Sequence, residues 1–397
     1  CIIGAGYSGL ATAKHLKEYD NMDFTVFEAS KYLGGVWHFD QRVGVDEYGI
    51  PIFSKMYKNL SPFVFTEFHD FPFPEGTSTY PSSECVFKYF QLTYMKRFED
   101  QWQLTYWKGD TRETVTEACD YVVIATGIYN DPVWPRIEGS NTFQGTMSHS
   151  STYRGDTEVY RNRRVLIVGA GVSGLDIASQ ISKVSLKLFH SHHRTINLPI
   201  HEETYVKKPD IKLITQNGVI FNDGSFEEVD DVIYCTGYTT WHRFLDDSSG
   251  LVRTGKLILP LYRNIVNIKH PNMLFVGATT GILYLQGNYV ASLIAGRFQL
   301  PSEDEMMKSW VDEVNKIQNI EDLNLIMDEN MDYYGSMLSQ EAGIPQLPPV
   351  FYSILIFNSI RRQNDFIQFR NYDWHIIDDY NFDCVYVGPK EVKCPIE

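Results

Sequence analysis

At 397 residues the chain is long enough to bury a sizeable core and to hold two domains. Its 35 basic residues face 50 acidic ones, a formal charge of -15, which argues against a nucleic-acid or anionic-membrane partner. The six cysteines contain no C-x-x-C, which excludes a redox dithiol and any familiar zinc spacing; no metal ligand set is expected. Most cysteines read as small buried apolar residues, and Cys384 and Cys394 are a candidate pair.

The chain opens on an apolar strand, Cys1-Ile2-Ile3, followed at once by Gly4-Ala5-Gly6-Tyr7-Ser8-Gly9. Strand, G-x-G-x-x-G turn and helix together make a dinucleotide site. The first glycine allows the tight turn, the second lets the backbone approach a pyrophosphate, and the third lets helix and strand pack closely. The pyrophosphate then meets free N–H groups and the positive end of the helix dipole. Asp23–Phe27 reads as the second strand and ends in Glu28, whose carboxylate suits a ribose of FAD or NAD; a solvated strand-end acid is the plainer reading.

The same unit recurs. Val165–Val168 leads into Gly169-Ala170-Gly171-Val172-Ser173-Gly174, and its second strand, Lys187–His190, reaches Ser191-His192-His193-Arg194-Thr195 with no acid in the stretch. Arg194 can fork onto a 2′-phosphate, with Ser191 and Thr195 as further donors. A carboxylate about 4 Å from that phosphate would cost on the order of 4 kcal/mol at an effective dielectric near 20, so this site is expected to prefer NADPH. Two such turns imply two dinucleotides in one chain.

Between them lies Phe143-x-Gly145-x-x-x-His149-x-x-x-Tyr153. With both turns, it resembles the fingerprint of the flavin-containing monooxygenases, which use FAD, NADPH and O2. Related Baeyer–Villiger enzymes carry Trp followed by Pro or Asp where this chain has Tyr153-Arg154, which favours heteroatom oxygenation. Gly34-Gly35-Val36-Trp37 resembles the family's segment along the FAD, and Val123–Gly127, with Thr126 and Gly127, its strand and turn closing the FAD half. Cys235-Thr236-Gly237 resembles the second such turn, after the NADPH domain; Asp70–Phe73 and Pro271–Gly277 match too. Lys208–Ile211 and Gly218–Phe221 are similar to the soluble insect members, which include pyrrolizidine-alkaloid N-oxygenases.

The resemblance implies an α/β fold of two Rossmann-like domains, the NADPH domain (151–239) inserted into a discontinuous FAD domain (1–150 and 240–330). Residues 331–397 are left to pack on the core or on a second subunit. It further implies that NADPH reduces the flavin and that O2 adds at its C4a carbon to give a hydroperoxide, shielded by NADP⁺. A soft nucleophile, an amine nitrogen or sulfide sulfur, then attacks the distal oxygen. A Baeyer–Villiger oxygenase, an uncoupled NADPH oxidase and a non-catalytic flavin-binding protein are the alternatives. His149 reads as part of a domain-linking turn, and Trp37, Phe63, Phe65 and Tyr284 as pocket aromatics or ordinary core.

Two segments depart from the family pattern. After Tyr57-Lys58 the family places a catalytic Asn; here Asn59 is the only Asn before Asp70, in a stretch that looks short. The segment after Gln91 is also short, whether by true deletion or by residues left out. The uncharged run Ala342 to Ile360 contains Pro345, Pro348 and Pro349 and reads as a core or interface element. The tail Lys390–Lys393 is unlike the apolar anchor of several vertebrate relatives, so a soluble protein is expected, cytoplasmic or secreted.

Overall fold

A computed structural model describes residues 1–30, 32–38, 40–42, 73, 76–80, 104–108, 113–129, 131–194, 203–239, 245, 249–254, 257–277, 282–316, 330–366 and 368–388. The apolar runs before the two glycine turns become interior strands of two separate sheets. In the first, Ile2–Ile3 lies parallel between Val26–Phe27 and Val122–Ile124, with Ile2 opposite both Val26 and Val123. Met273–Phe275 continues the sheet in parallel, and the antiparallel strands Val266–Asn267 and Leu261–Tyr262 complete it. The second strand is shorter than Asp23–Phe27, although the Thr25 carbonyl already accepts the Ile2 N–H at 2.8 Å.

The second sheet is wholly parallel: Tyr205–Lys208, Lys187–Ser191, Arg164–Val168, Asp231–Tyr234 and Thr146–His149, in that order. Its central strand is buried on both faces, which is why Val165, Leu166 and Ile167 run on without alternation. Arg163 and Arg164 at its start reach across to Asp231, Asp230 and Glu228 and pin the sheet's lower edge. The first sheet therefore draws on chain segments from both sides of the second. A short antiparallel ribbon, Asp131–Pro132 with Tyr238–Thr239, brings together the stretches that lead into and out of it.

Helix Tyr7–Leu16 packs on helix Leu283–Ile294. Their backbones come so close at Gly287 that an added Cβ would lie 3.0 Å from the Thr12 nitrogen. These helices share the largest buried cluster with helix Met331–Ala342, through Leu285, Tyr289, Tyr334 and Leu338. Ser302 and Glu305 form a reciprocal capping box that starts helix Glu303–Val314, as the acid-rich sequence leads one to expect.

The uncharged Ala342–Ile360 run is broken by Gly343, at φ 62°, and restarts as helix Pro349–Asn364 with proline in its first turn. A hairpin, Tyr372–Ile376 with Phe382–Tyr386, follows. Among the described residues no helix is long and apolar enough to cross a membrane.

The cysteine pairing needs correction. Cys384 is a free thiol, half-buried among aromatic rings, and Cys394 lies outside the described residues. The disulfide joins Cys1 to Cys119, Cα atoms 5.9 Å apart. The physical reason is the sheet register: Ile2 pairs with Val123, so the residues just before the two strands arrive side by side.

Candidate active site

The two glycine turns have the same geometry. Gly6 caps the first helix at φ -76°, ψ -175°, and Gly171 the second at φ -72°, ψ -174°. Neither helix has a side-chain cap or an acid in its first turn, so each presents its N-terminal N–H groups and its dipole unopposed.

The three glycine roles separate on distance. Gly4 and Gly169 sit at φ 106° and 99°, and a Cβ there would strike the carbonyl oxygen of Ala125 at 2.6 Å or of Cys235 at 2.5 Å. Gly9 and Gly174 touch their own turns, where a Cβ would lie 1.9 and 2.0 Å from the Gly4 and Gly169 oxygens. At the middle glycines the protein leaves room. Among the described residues, a Cβ on Gly6 would make only an ordinary 3.7 Å contact with Gly35, and one on Gly171 would meet nothing within 4 Å. Protein packing therefore requires the outer glycines, whereas the middle ones border open space that a pyrophosphate fits.

Around the first turn, Glu28 accepts hydrogen bonds from the Ala5 N–H at 2.7 Å and the Ser30 N–H at 2.9 Å, tying strand end to turn. Gly34 donates to the Ala5 carbonyl at 2.8 Å, and Gly35, at φ 55°, lies over Gly6. The short helical turn Gly35–Trp37 buries Trp37 and leaves Val36 half-buried. Ser8 is buried in the first helical turn, its hydroxyl 2.6 Å from where a Cβ of Gly277 would stand. Thr126, beside Gly127 at φ 75°, has a buried hydroxyl with no hydrogen-bond partner among the described residues. An orphaned hydroxyl facing a Gly-rich cradle is what a bound FAD would satisfy.

The second cradle repeats this plan with different trim. Cys235-Thr236-Gly237 occupies the place of Ala125-Thr126-Gly127, but the Thr236 hydroxyl is used, donating to the Val133 carbonyl. Cys235 is buried and its thiol is pushed up to about 12 by desolvation, so it is inert as a nucleophile or redox group. Ser173 and Gly174 lie in the first helical turn.

Of the expected 2′-phosphate donors, Arg194 is exposed and Thr195 lies outside the described residues. Ser191 is buried and gives its hydroxyl hydrogen to the Pro209 carbonyl at 2.8 Å, so its hydroxyl serves the strand end. Lys207, from the neighbouring strand, donates to the Arg194 carbonyl at 2.8 Å and adds a second cation that the linear sequence did not single out. The stretch itself carries no acid, yet the fold brings the half-exposed Asp210 within 3.2 Å of His193.

Beneath this cradle the buried His190 contacts the Gly169 carbonyl at 3.0 Å through Nε2 and the Tyr205 hydroxyl at 3.2 Å through Nδ1. Burial lowers the pKa of His190 and of the adjacent His192 to about 4. His149 is fully buried, and its Nδ1 accepts the Ser151 N–H at 3.1 Å, capping the Ser150–Thr152 turn. Desolvation lowers its pKa, so it stays neutral and structural. Trp37 and Tyr284 are described, the latter edge-on to His15 with centroids 4.5 Å apart; Asn59, Phe63 and Phe65 lie outside the described residues.

Duplicated dinucleotide cradles, one on a mixed sheet and one on a parallel sheet, define a flavoprotein reductase class, and residues 1–260 match the family model described as pyridine nucleotide-disulphide oxidoreductase. Residues 197–358 match the model described as flavin-binding monooxygenase-like. The chain is 41% identical to senecionine N-oxygenase of Tyria jacobaeae, covering 100% of this chain and 94% of that protein. That alignment runs over 431 residues, more than the chain's 397, so this chain is locally shorter than the relative.

Two solved structures share the fold. The crystal structure of Tmm from Pelagibacter sp. strain HTCC7211 has TM-score 0.80 and 23% identity over 94% of this chain and 92% of that one. S-allyl-L-cysteine S-oxygenase from Allium sativum has TM-score 0.80 and 21% identity over 93% and 94%. This chain belongs to the flavin-binding monooxygenase family. It is an FAD- and NADPH-dependent monooxygenase, and the absence of C-x-x-C agrees with a reductase fold turned to oxygen chemistry.

Proposed function

We propose that the enzyme N-oxygenates tertiary amines of the pyrrolizidine-alkaloid type, with sulfides as a second class of soft nucleophile. The observation that carries this reading is the 41% identity to senecionine N-oxygenase along the whole chain. FAD, once reduced by NADPH, supplies the activation of O2 and the delivery of one oxygen atom to the substrate nitrogen. The residues supply binding, orientation and exclusion of water.

For FAD, the N–H groups of Gly6, Ser8 and Gly9 would meet the pyrophosphate, while Gly4 makes the turn with its own N–H held by the Phe27 carbonyl; Glu28 would hold the ribose side, and Gly35, Val36, Trp37, Thr126 and Gly127 would line the cradle. For NADPH, the Gly169, Gly171, Ser173 and Gly174 turn takes the pyrophosphate, and Arg194 with Lys207 and Thr195 the 2′-phosphate. Ser191 and Cys235-Thr236-Gly237 shape the cradle's walls. Asn59 is the candidate amide beside the reacting oxygen. The domain division follows as 1–150 and 240–330 for FAD, 151–239 for NADPH and 331–397 as a C-terminal segment. Because the Thr146–His149 strand hydrogen-bonds in the second sheet, it goes with the NADPH half, and the first of these boundaries moves back before residue 146.

The test is product stoichiometry. Purified enzyme with NADPH, air and senecionine or another tertiary amine is expected to form one N-oxide per NADPH consumed. NADPH consumption that yields only hydrogen peroxide with every amine and sulfide offered would refute the reading, and insertion of oxygen into a ketone would replace it.

A further inference from the structure

The C-terminal segment matches no cofactor motif, yet it touches both halves of the enzyme. Helix Pro349–Asn364 uses two faces. Tyr352 is part of the first half's buried cluster and closes on Gly335, where an added Cβ would lie 2.1 Å from its hydroxyl oxygen. Val350 and Ile354, one helical turn apart, belong to a different cluster, with Phe366, Phe369, Trp374 and Tyr80. That second cluster also contains Ala170 and Leu175, from the second glycine turn and the helix that follows it.

Polar contacts reinforce the hold on the second cradle. Arg370 forks onto Asp176 of the Val172–Ile181 helix, at 2.9 and 3.1 Å, with both side chains mostly buried. Within that same cluster, the Trp374 indole donates to the Tyr80 hydroxyl at 3.1 Å. Tyr80 in turn donates to Asn358 at 2.6 Å, inside the core, and Thr79 donates to Asp373 at 3.0 Å. Arg370 is braced over the rings of Phe369 and Phe366, centroids 4.5 and 5.6 Å away, which leaves its fork little freedom.

We propose that residues 349–386 form a strap that sets the second-cradle helix against the flavin half, with Arg370, acting through Asp176, a positioning residue for NADPH. The proposal rests on the reading of the second cradle as the NADPH site. Two physical roles follow. The fork fixes the helix on which the pyrophosphate sits, so it controls the alignment of NADPH with the flavin. It also neutralises the Asp176 carboxylate, which would otherwise oppose an anion arriving at that helix's N-terminus.

The test uses the FAD-loaded enzyme and the variants Arg370→Gln, Asp176→Asn, their double, and Arg370→Lys. NADP⁺ affinity is read by calorimetry and flavin reduction by stopped-flow absorbance; FAD content and melting temperature are read alongside. Each single neutral variant is expected to retain FAD and to be reduced roughly tenfold more slowly; Arg370→Gln, which leaves the Asp176 carboxylate uncompensated, should also bind NADP⁺ roughly tenfold more weakly, and Asp176→Asn, which removes that carboxylate, should lose less affinity. The double variant should be no worse than the singles, and Arg370→Lys should recover part of the affinity but little of the reduction rate, because an ammonium keeps the charge and loses the fork.

Additive losses in the double, or NADP⁺ affinity and reduction rate unchanged in every variant, would overturn the proposal. So would a lowered melting temperature with normal NADP⁺ binding, since that is a role in folding alone. If a single variant does not fold, the doubly neutral one carries the test, because it leaves no unpaired buried ion. Gly171→Val is the control for the underlying reading. Loss of NADP⁺ binding there with none in the Arg370 and Asp176 variants sinks the strap alone, and retained binding in Gly171→Val sinks the site assignment itself.

Discussion

Substituting the middle glycine of the second turn separates folding from binding. Gly171 has φ -72°, open to any L-residue, and an added Cβ meets no atom of the described residues within 4 Å. Gly171→Ala should therefore leave the fold intact, with a gain of up to about 1 kcal/mol from the less flexible unfolded chain. Gly174→Ala is the contrast, because its Cβ would sit 2.0 Å from the Gly169 oxygen. Overpacking of that severity costs about 3 kcal/mol or more.

The effect on NADPH should run the other way. A methyl at Gly171 stands where the helix N–H groups meet the pyrophosphate and pushes that group outward. Losing two charge-assisted hydrogen bonds, at about 1.5 kcal/mol each, weakens binding by about 3 kcal/mol, or about a hundredfold. Thermal melts with bound-flavin absorbance read the fold, and calorimetric titration with NADP⁺ reads the site. Gly171→Ala should melt like the parent, keep its FAD and bind NADP⁺ about a hundredfold more weakly. Unchanged NADP⁺ affinity, or a melt lowered as far as that of Gly174→Ala, would refute the division of roles among the three glycines. Gly6→Ala should behave in parallel on the flavin side, giving folded protein with depleted FAD.

Arg194→Ala should raise the KM for NADPH by about tenfold to a hundredfold while changing that for NADH little, and Lys207→Ala should do the same to a smaller degree; equal effects on both coenzymes would remove the 2′-phosphate assignment. Stability should depend on pH through His190 and His192. Their folded pKa values near 4 lie below the ordinary imidazole value, so the stability they contribute is complete above about pH 6.5 and is lost as pH falls towards 4. Melting curves between pH 7 and 5 should fall more steeply for the parent than for His190→Gln, and parallel curves would contradict that account. Asn59→Ala should raise the hydrogen peroxide released per NADPH oxidised, measured by a peroxidase-coupled assay; unchanged coupling would move the catalytic amide elsewhere.

Both cradles could be read from the sequence because their chemistry is local. A turn that needs φ near 100° at its first residue and no Cβ at its last writes itself as glycine at fixed spacing, and the strand before it must be apolar. Lys207 escaped because its relevance comes from strand adjacency: Tyr205–Lys208 lies beside Lys187–Ser191, and only that register brings its ammonium to the Arg194 carbonyl. Ser191 reads equally well as a donor to ligand or to protein, and the fold decides for Pro209. The Cys1–Cys119 pairing and the Arg370–Asp176 fork join residues far apart in the chain, where spacing carries no signal. Burial of Ala170 and Leu175 by the C-terminal segment is of the same kind, since nothing near residue 170 points to residue 354.

The two turns have nearly identical dihedrals, so the turn itself cannot be what assigns FAD to one and NADPH to the other. The distinction lies in what surrounds each. At the first, both backbone groups of Ala5 are used by its own half, the N–H by Glu28 and the carbonyl by Gly34, with Gly35 lying over Gly6. That lacing ties the turn to its own strand end and suits a resident cofactor, while the helix behind it packs on Leu283–Ile294 of the same half. At the second, the equivalent Ala170 is buried by residues from beyond position 350, and the helix is held by Arg370. A cradle shaped by a separate strap can shift as that strap shifts, which suits a coenzyme that must enter, be oxidised and leave. The Arg370 and Asp176 variants therefore ought to change NADP⁺ exchange while leaving FAD retention alone, and loss of both together would mean that the two cradles are not independently held.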